Sequence, residues 1–285
     1  MQELEGLAPS EIQDLYYGAG GTLAATNDYV AMLVQIADNA FSKGPGAASL
    51  EEGEDRLYHL HIFRQYAESW VDRSLDRGPF VSVHGDLEIF NLLLGGDMGI
   101  VSMLDWEWSR VVSCQFFKPP LWLSNARIEV LSYGYRYRDY LERFDKFLAA
   151  VRCRELERYG NELLANEWDK GKQKSGIMVA NALENLTAMD WIASRYINLR
   201  AYGGKEDLPE RLRAFIQDDT ARKTLIEKKD LEWGASYTAR LEQANANSIP
   251  LLTQTLPFAI GSTVVIIAGA SYLSGWCTGL LPFSH

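Results

Sequence analysis

Apolar positions recur with helical spacing through most of this chain. Over residues 10–41, Tyr29, Met32, Leu33, Ile36 and Ala40 fall on one face, and Thr26 or Asn27 is placed to cap the helix. SKGPGAAS (residues 42–49) reads as a loop. A second helical stretch follows, with Leu57, Leu60, Phe63, Ala67, Trp70 and Val71 on one face, and Gly78-Pro79 stops it. The pattern changes at Phe80. FVSV and IVSMLDW are short, β-branched and bulky, and LLL and the turn GGDMG lie between them, which predicts small strands inserted between helices.

Beyond the Pro-broken, aromatic QFFKPPLWL (residues 115–123), helical spacing returns. Leu141, Phe144, Leu148 and Val151 define a helix over about residues 137–159, and another is predicted over 177–199. Asp207-Leu208-Pro209-Glu210 has the N-cap and early Pro of a further helix start. Its continuation, QDDTARKTLIEKKDLEW, reads as a solvated, charged helix face. The expected fold is α+β and mainly helical, with a domain over residues 1–240.

The tail differs. Residues 243–284 carry no charged side chain. Residues 256–276 are long enough to span a bilayer but diluted by Gly, Ser and Thr. The readings open for this segment are a membrane anchor, a buried core helix and a non-native tail from a misread exon boundary. If it spans, the preceding Lys and Arg clusters keep the N-terminal domain in the cytosol. The acidic N-terminus resembles neither a secretory signal nor a transit peptide, so a cytoplasmic location is expected, with the tail as a candidate anchor.

Composition narrows the function classes. With 47% hydrophobic and 23% charged residues among 285, the chain is globular and can bury a substantial core. A formal charge of -10 argues against nucleic acid as a partner. Cys114, Cys153 and Cys277 have neither zinc spacing nor a disulfide pattern.

The candidate chemistry lies in HGDLEIFN, residues 84–91. Asp86 and Asn91 are five positions apart, and Asp105, in LDWEW, follows nineteen residues after Asp86. Phosphoryl transfer needs Mg2+ held by hard oxygen ligands and a carboxylate to orient the attacking hydroxyl. An Asp, an Asn five positions on and a second Asp after a hairpin supply that set, as in the protein-kinase catalytic loop and its D-F-G. The bland alternatives are turn-capping roles for Asp86 and Asn91, and for Asp105 a cap on a helix starting at Trp106. Trp106, Trp108, Trp122, Phe116 and Phe117 read as core or packing residues rather than a substrate cage. His59 and His61 read as structural.

The segment from Phe80 to Leu123 resembles the core of the aminoglycoside phosphotransferase / choline kinase-like superfamily, especially its fungal branch. The resemblance rests on the His-x-Asp loop, the Asp-Trp-Glu segment and the Pro-Pro-Trp-Leu segment. It implies the C-terminal lobe of a kinase-like fold. It also implies ATP and Mg2+ as cofactors and a small-molecule hydroxyl as acceptor, with Asp86 as the catalytic aspartate. Asn91 and Asp105 would be the Mg2+ ligands, His84 would shape the loop, and Glu107 would support the site. A carboxylate is a weak base, so Asp86 would mainly position the hydroxyl.

Two departures stand out. Glu88-Ile89-Phe90 replaces the Pro-Gly turn that many members carry between the Asp and the Asn. The residues before Asp86 read as helix, where a kinase-like enzyme needs a Gly-rich hairpin and a strand Lys. YYGAGGT (residues 16–22) has neither G-x-G-x-x-G nor Walker A spacing. The expectation is a C-lobe whose N-terminal β lobe is missing. Its rival is a catalytically dead, kinase-derived binding or scaffold protein, and a third reading is an incomplete gene product.

Overall fold

The computed structural model describes residues 22–44, 48–203 and 206–248. The chain divides into two compact units, residues 1–238 and 239–285. The first unit is mainly helical, and the described residues are 70% helix and 7% strand, with two small antiparallel sheets.

Helix α1 (Thr26–Lys43) buries Val30, Leu33, Val34, Ile36, Ala37 and Phe41; of the predicted stripe Leu33 and Ile36 are buried, while Tyr29, Met32 and Ala40 are only half-buried. Neither predicted cap serves: Ala25 holds the N-cap position, and the Thr26 hydroxyl donates instead to the carbonyls of Leu75 and Asp76. Helix α2 (Leu50–Trp70) begins with a capping box. Ser49 Oγ accepts from the Glu52 amide, and the Glu52 carboxylate accepts from the Ser49 amide. This helix stops at Trp70, eight residues before the expected stop, and a short 3-10 turn at Arg73–Leu75 follows.

Four short strands come next. β1 (Phe80–Val83) pairs antiparallel with β4 (Arg110–Ser113), and β2 (Leu92–Leu94) pairs with β3 (Ile100–Met103). The inner hairpin is thus nested inside the outer pair. Gly95 and Gly99 close its turn, with the Gly95 amide donating to the Gly99 carbonyl.

The remaining helices form the body. α3 (Ile128–Leu131) leads into α4 (Gly134–Tyr159), whose stripe of Tyr137, Tyr140, Phe144 and Leu148 is buried. The helix ends in a left-handed Gly160 whose amide donates to the Leu156 carbonyl. α5 (Leu163–Gln173) packs on α4. α6 (Gly176–Leu183) lies at the centre, against α1, α2, α3 and α5, and all eight of its residues are buried. A Cβ on Gly176 would meet Trp70 Nε1 at 2.8 Å, so the close approach of α6 to α2 requires glycine.

The continuous helix expected over 177–199 is broken. The chain turns at residues 184–188, resumes as α7 (Met189–Ile192), passes through a π segment at Ala193–Ile197 and ends as α8 (Asn198–Tyr202). The break turns Glu184 and Asn185 inward: the Asn185 amide donates to the Glu129 carboxylate at 3.0 Å, and the partners of Glu184 are described below. α9 (Leu208–Gln217) carries the predicted early Pro, but Asp207 makes no side-chain cap bond and pairs with Arg211 instead. α10 (Thr220–Ser248) corrects the solvated-face reading at one position. Lys229 is 1% exposed, and its ammonium donates to the Gly44 carbonyl and to Glu232. No helix among the described residues is long and apolar enough to cross a membrane, and the candidate span at 256–276 lies outside them.

Candidate functional site

The nesting of the strands creates the site. Residues 84–91 lead from the outer pair into the hairpin, and residues 104–109 lead back out. The two crossings are therefore neighbours, and hydrogen bonds tie them together. The Leu104 amide donates to the Asn91 carbonyl at 2.8 Å, continuing the β2–β3 ladder by one residue. His84 Nε2 lies 2.6 Å from the Leu104 carbonyl. That carbonyl can only accept, so Nε2 carries the proton. His84 is 7% exposed, and its ring lies 4.8 Å from that of Trp106. These contacts hold the start of the loop against the returning segment.

Gly85 explains how closely the crossings approach. Its φ is +74°, and a Cβ there would lie 2.0 Å from the Trp108 carbonyl oxygen. Any side chain would force the strands apart. On the outer side, the Trp122 indole donates to the Leu87 carbonyl at 3.0 Å, pinning the loop to the Pro-Pro-Trp-Leu segment.

Within the loop, the Asn91 amide nitrogen donates to the Asp86 carbonyl at 2.8 Å and to the Asp86 carboxylate at 3.0 Å. This turns the Asn91 side-chain oxygen away from Asp86, and it accepts no hydrogen bond from the described residues. Asp86 is exposed. Asp105 is exposed too, and its backbone is left-handed, with φ 59° and ψ 50°. It precedes the 3-10 turn Trp106–Trp108, yet its carboxylate makes no cap bond, so the capping reading does not account for it. A left-handed aspartate is a conformation that the surroundings must hold in place. Glu107 is exposed and makes no hydrogen bond or ion pair with the described residues.

Asp86 and Asn91 are bonded to each other, and Asp105 follows Leu104, the residue that pairs with Asn91 across the two crossings. All three carry hard oxygen donors, two of them carboxylates, and the Asn91 oxygen and the Asp105 carboxylate are uncommitted. That donor chemistry fits Mg2+, which takes few protein ligands and keeps water or phosphate in its other positions. Among the described residues no cluster of three or more His, Cys, Asp or Glu side chains stands ready for a metal, so the fit depends on the asparagine.

Sequence reasoning missed the group that anchors this region. Glu184, 6% exposed, accepts from Arg110 and Lys118 at 2.6 Å each through one oxygen, and from the Tyr29 hydroxyl at 3.1 Å through the other. Burial alone would push its carboxyl up. The Lys118 and Arg110 charges, with hydrogen bonds from Lys118 and Tyr29, outweigh that and hold it below the usual carboxylate range. Arg110 is the first residue after the second crossing, so the network fastens that crossing to α6 and α1. The signal was present in the sequence: Glu184 is the one acid in the otherwise uncharged run 175–189.

Trp106 and Trp108 are about half exposed, whereas Phe116 is buried in the core. His59 is fully buried, with Nδ1 2.8 Å from the Asp55 carbonyl, and His61 packs on Phe215, so both are structural as expected. Beside the loop lies a polar pocket of about 330 Å3, lined in part by Glu88, Lys118, Trp122, Arg127, Glu129 and Asn181. Compared with family models, curated proteins and solved structures, the chain matches none of them.

Proposed function

We propose that residues 80–123 form the metal and phosphate half of a phosphoryl-transfer site, on a domain of the kinase-like C-lobe type. The reaction would move the γ-phosphoryl group of ATP to a small-molecule hydroxyl. The observation that carries this reading is the bond from the Asn91 amide to the Asp86 carboxylate, one residue across the ladder from a left-handed Asp105. In this reading Asn91 and Asp105 hold Mg2+, which supplies neutralisation of phosphate charge when bound. Asp86, steadied by Asn91, orients the acceptor hydroxyl. His84 and Gly85 fix the loop against the returning strand. The pocket lined by Glu88 and Lys118, contiguous with the loop, is the candidate place for the acceptor.

The test is calorimetric titration of the full chain with Mg-ATP, then of Asp105→Asn. Asparagine tolerates the left-handed backbone but lacks the charge. Binding weakened at least tenfold by this substitution supports the reading, and no measurable binding by the parent sinks it. The second reading, a non-catalytic module of kinase origin, is favoured by a specific observation. The described residues before β1 form α1 and α2 and include neither a Gly-rich strand-loop-strand nor a strand lysine. It predicts a folded chain with no nucleotide binding.

A further inference from the structure

The strand region is largely exposed, with no buried residue between positions 85 and 109. About half of all its large exposed apolar side chains lie between Phe80 and Val111. Phe90 is 90% exposed, Met98 73%, Val101 67% and Ile100 64%, and every residue of β3 is exposed, so side chains on both faces of that strand meet solvent. Single exposed apolar residues are ordinary, but a concentration of this kind marks an interaction surface. The hairpin also has open edges, because β2 and β3 each have one strand partner among the described residues. A two-stranded ribbon is marginal in water and gains stability from a third strand.

Charge selects the partner. Between residues 80 and 109 the chain carries Asp86, Glu88, Asp97, Asp105 and Glu107, and no Lys or Arg. Anionic lipid and nucleic acid are repelled by such a surface. A second copy of this chain would set the same carboxylates against one another, in a protein already at -10. The complementary occupant is a polypeptide that offers apolar side chains together with lysines or arginines. From this combination of exposure, open edges and charge we infer that the β2–β3 hairpin is a docking surface for an extended, basic and apolar segment of a partner protein, which adds a strand to the ribbon. The inference stands on exposure and charge and does not require the site to bind nucleotide.

The probe is a designed peptide of alternating valine and lysine, tested against the full chain. The controls replace its lysines with glutamate, or its valines with serine. Binding is read by calorimetry, and its place by hydrogen exchange across residues 92–103. The expected result is that the valine–lysine peptide binds, slows exchange in the hairpin and weakens as salt is raised, while both controls bind at least tenfold more weakly. Phe90→Lys and Val101→Lys, at exposed positions with no packing role, should each weaken binding at least fivefold and leave the circular dichroism unchanged. Equal binding of the glutamate peptide would overturn the inference, as would binding that ignores both substitutions. Concentration-dependent dimerisation abolished by Val101→Lys would assign the surface to a second copy and also overturn it. Nucleotide binding without peptide binding refutes this inference alone, and the converse refutes the proposed function alone.

Discussion

Glu184→Gln is the most informative single perturbation of the fold around the site. It keeps the shape of the side chain and removes its charge. In the parent, two cations converge on one carboxylate oxygen at 2.6 Å, and the carboxylate is 6% exposed. Breaking a buried pair from one side costs about 3–5 kcal/mol, because the remaining charge is stranded. Arg110 and Lys118 each keep 23% of their side-chain exposure, so both recover some hydration, and the expected loss sits at the lower end, about 3 kcal/mol. For a domain of this size that is a fall in Tm of about 6–12 °C. The assay is thermal and urea unfolding at pH 7, followed by circular dichroism.

The pH dependence tests the cause. The folded-state pKa of Glu184 is depressed, so its contribution is present above the ordinary glutamate range and fades as pH falls through the folded value. The gap between parent and Gln variant should therefore be full at pH 7 and close as pH drops below about 4.5. Lys118→Met, which leaves one cation for one carboxylate, should cost less than Glu184→Gln, and the double variant should lose less than the two singles together. A Gln variant within about 0.5 kcal/mol of the parent at pH 7 would refute the electrostatic account.

Gly85→Ala should disrupt the crossing rather than the helical body, since its Cβ would sit 2.0 Å from the Trp108 carbonyl at a φ of +74°. Hydrogen exchange should speed up selectively over residues 84–109, and any nucleotide binding should be lost. Asp105→Gly should gain up to about 1 kcal/mol by releasing the left-handed strain, while abolishing Mg2+-dependent binding, a stability gain at the expense of function. Ser49→Ala should cost about 1 kcal/mol in urea unfolding through the lost capping box, with nucleotide and peptide binding unchanged.

The elements with a one-sided apolar stripe were the ones legible in advance. α1 and α4 lie on the surface of the body, so their periodicity reports which face is buried. α6 carries no such signal, because a helix buried on every side has no polar face to mark its period or its end. The run over 177–199 therefore read as one helix, and the inward turn of Glu184 went unseen. The strands were legible from β-branched residues and glycine turns, but their nesting was not, since β1–β4 pairing joins segments some thirty residues apart. At the site, the spacing of Asp86, Asn91 and Asp105 was visible, and the reason their segments meet was not. That reason is a backbone bond from Leu104 to Asn91 and a glycine that lets two crossings touch. The cap misread at Thr26 has a plain cause, since its hydroxyl donates to the Leu75 and Asp76 carbonyls; Asp207 does hold the predicted N-cap position, but its carboxylate pairs with Arg211 one turn on instead of capping.

The nesting of the strands makes the chemistry-bearing stretch a closed excursion. The chain leaves the body at Val83 and returns at Arg110, and those two residues are direct partners in the β1–β4 register. Of everything between them, only His84 is buried. A two-residue turn such as Asn-Gly placed between Val83 and Arg110 would close β1 and β4 into an ordinary hairpin. The helices would keep their connection, their core and the Glu184 anchor, and lose the whole of residues 84–109. On that expectation the excursion would be a detachable module, and changes within it would leave the helical fold that carries it standing.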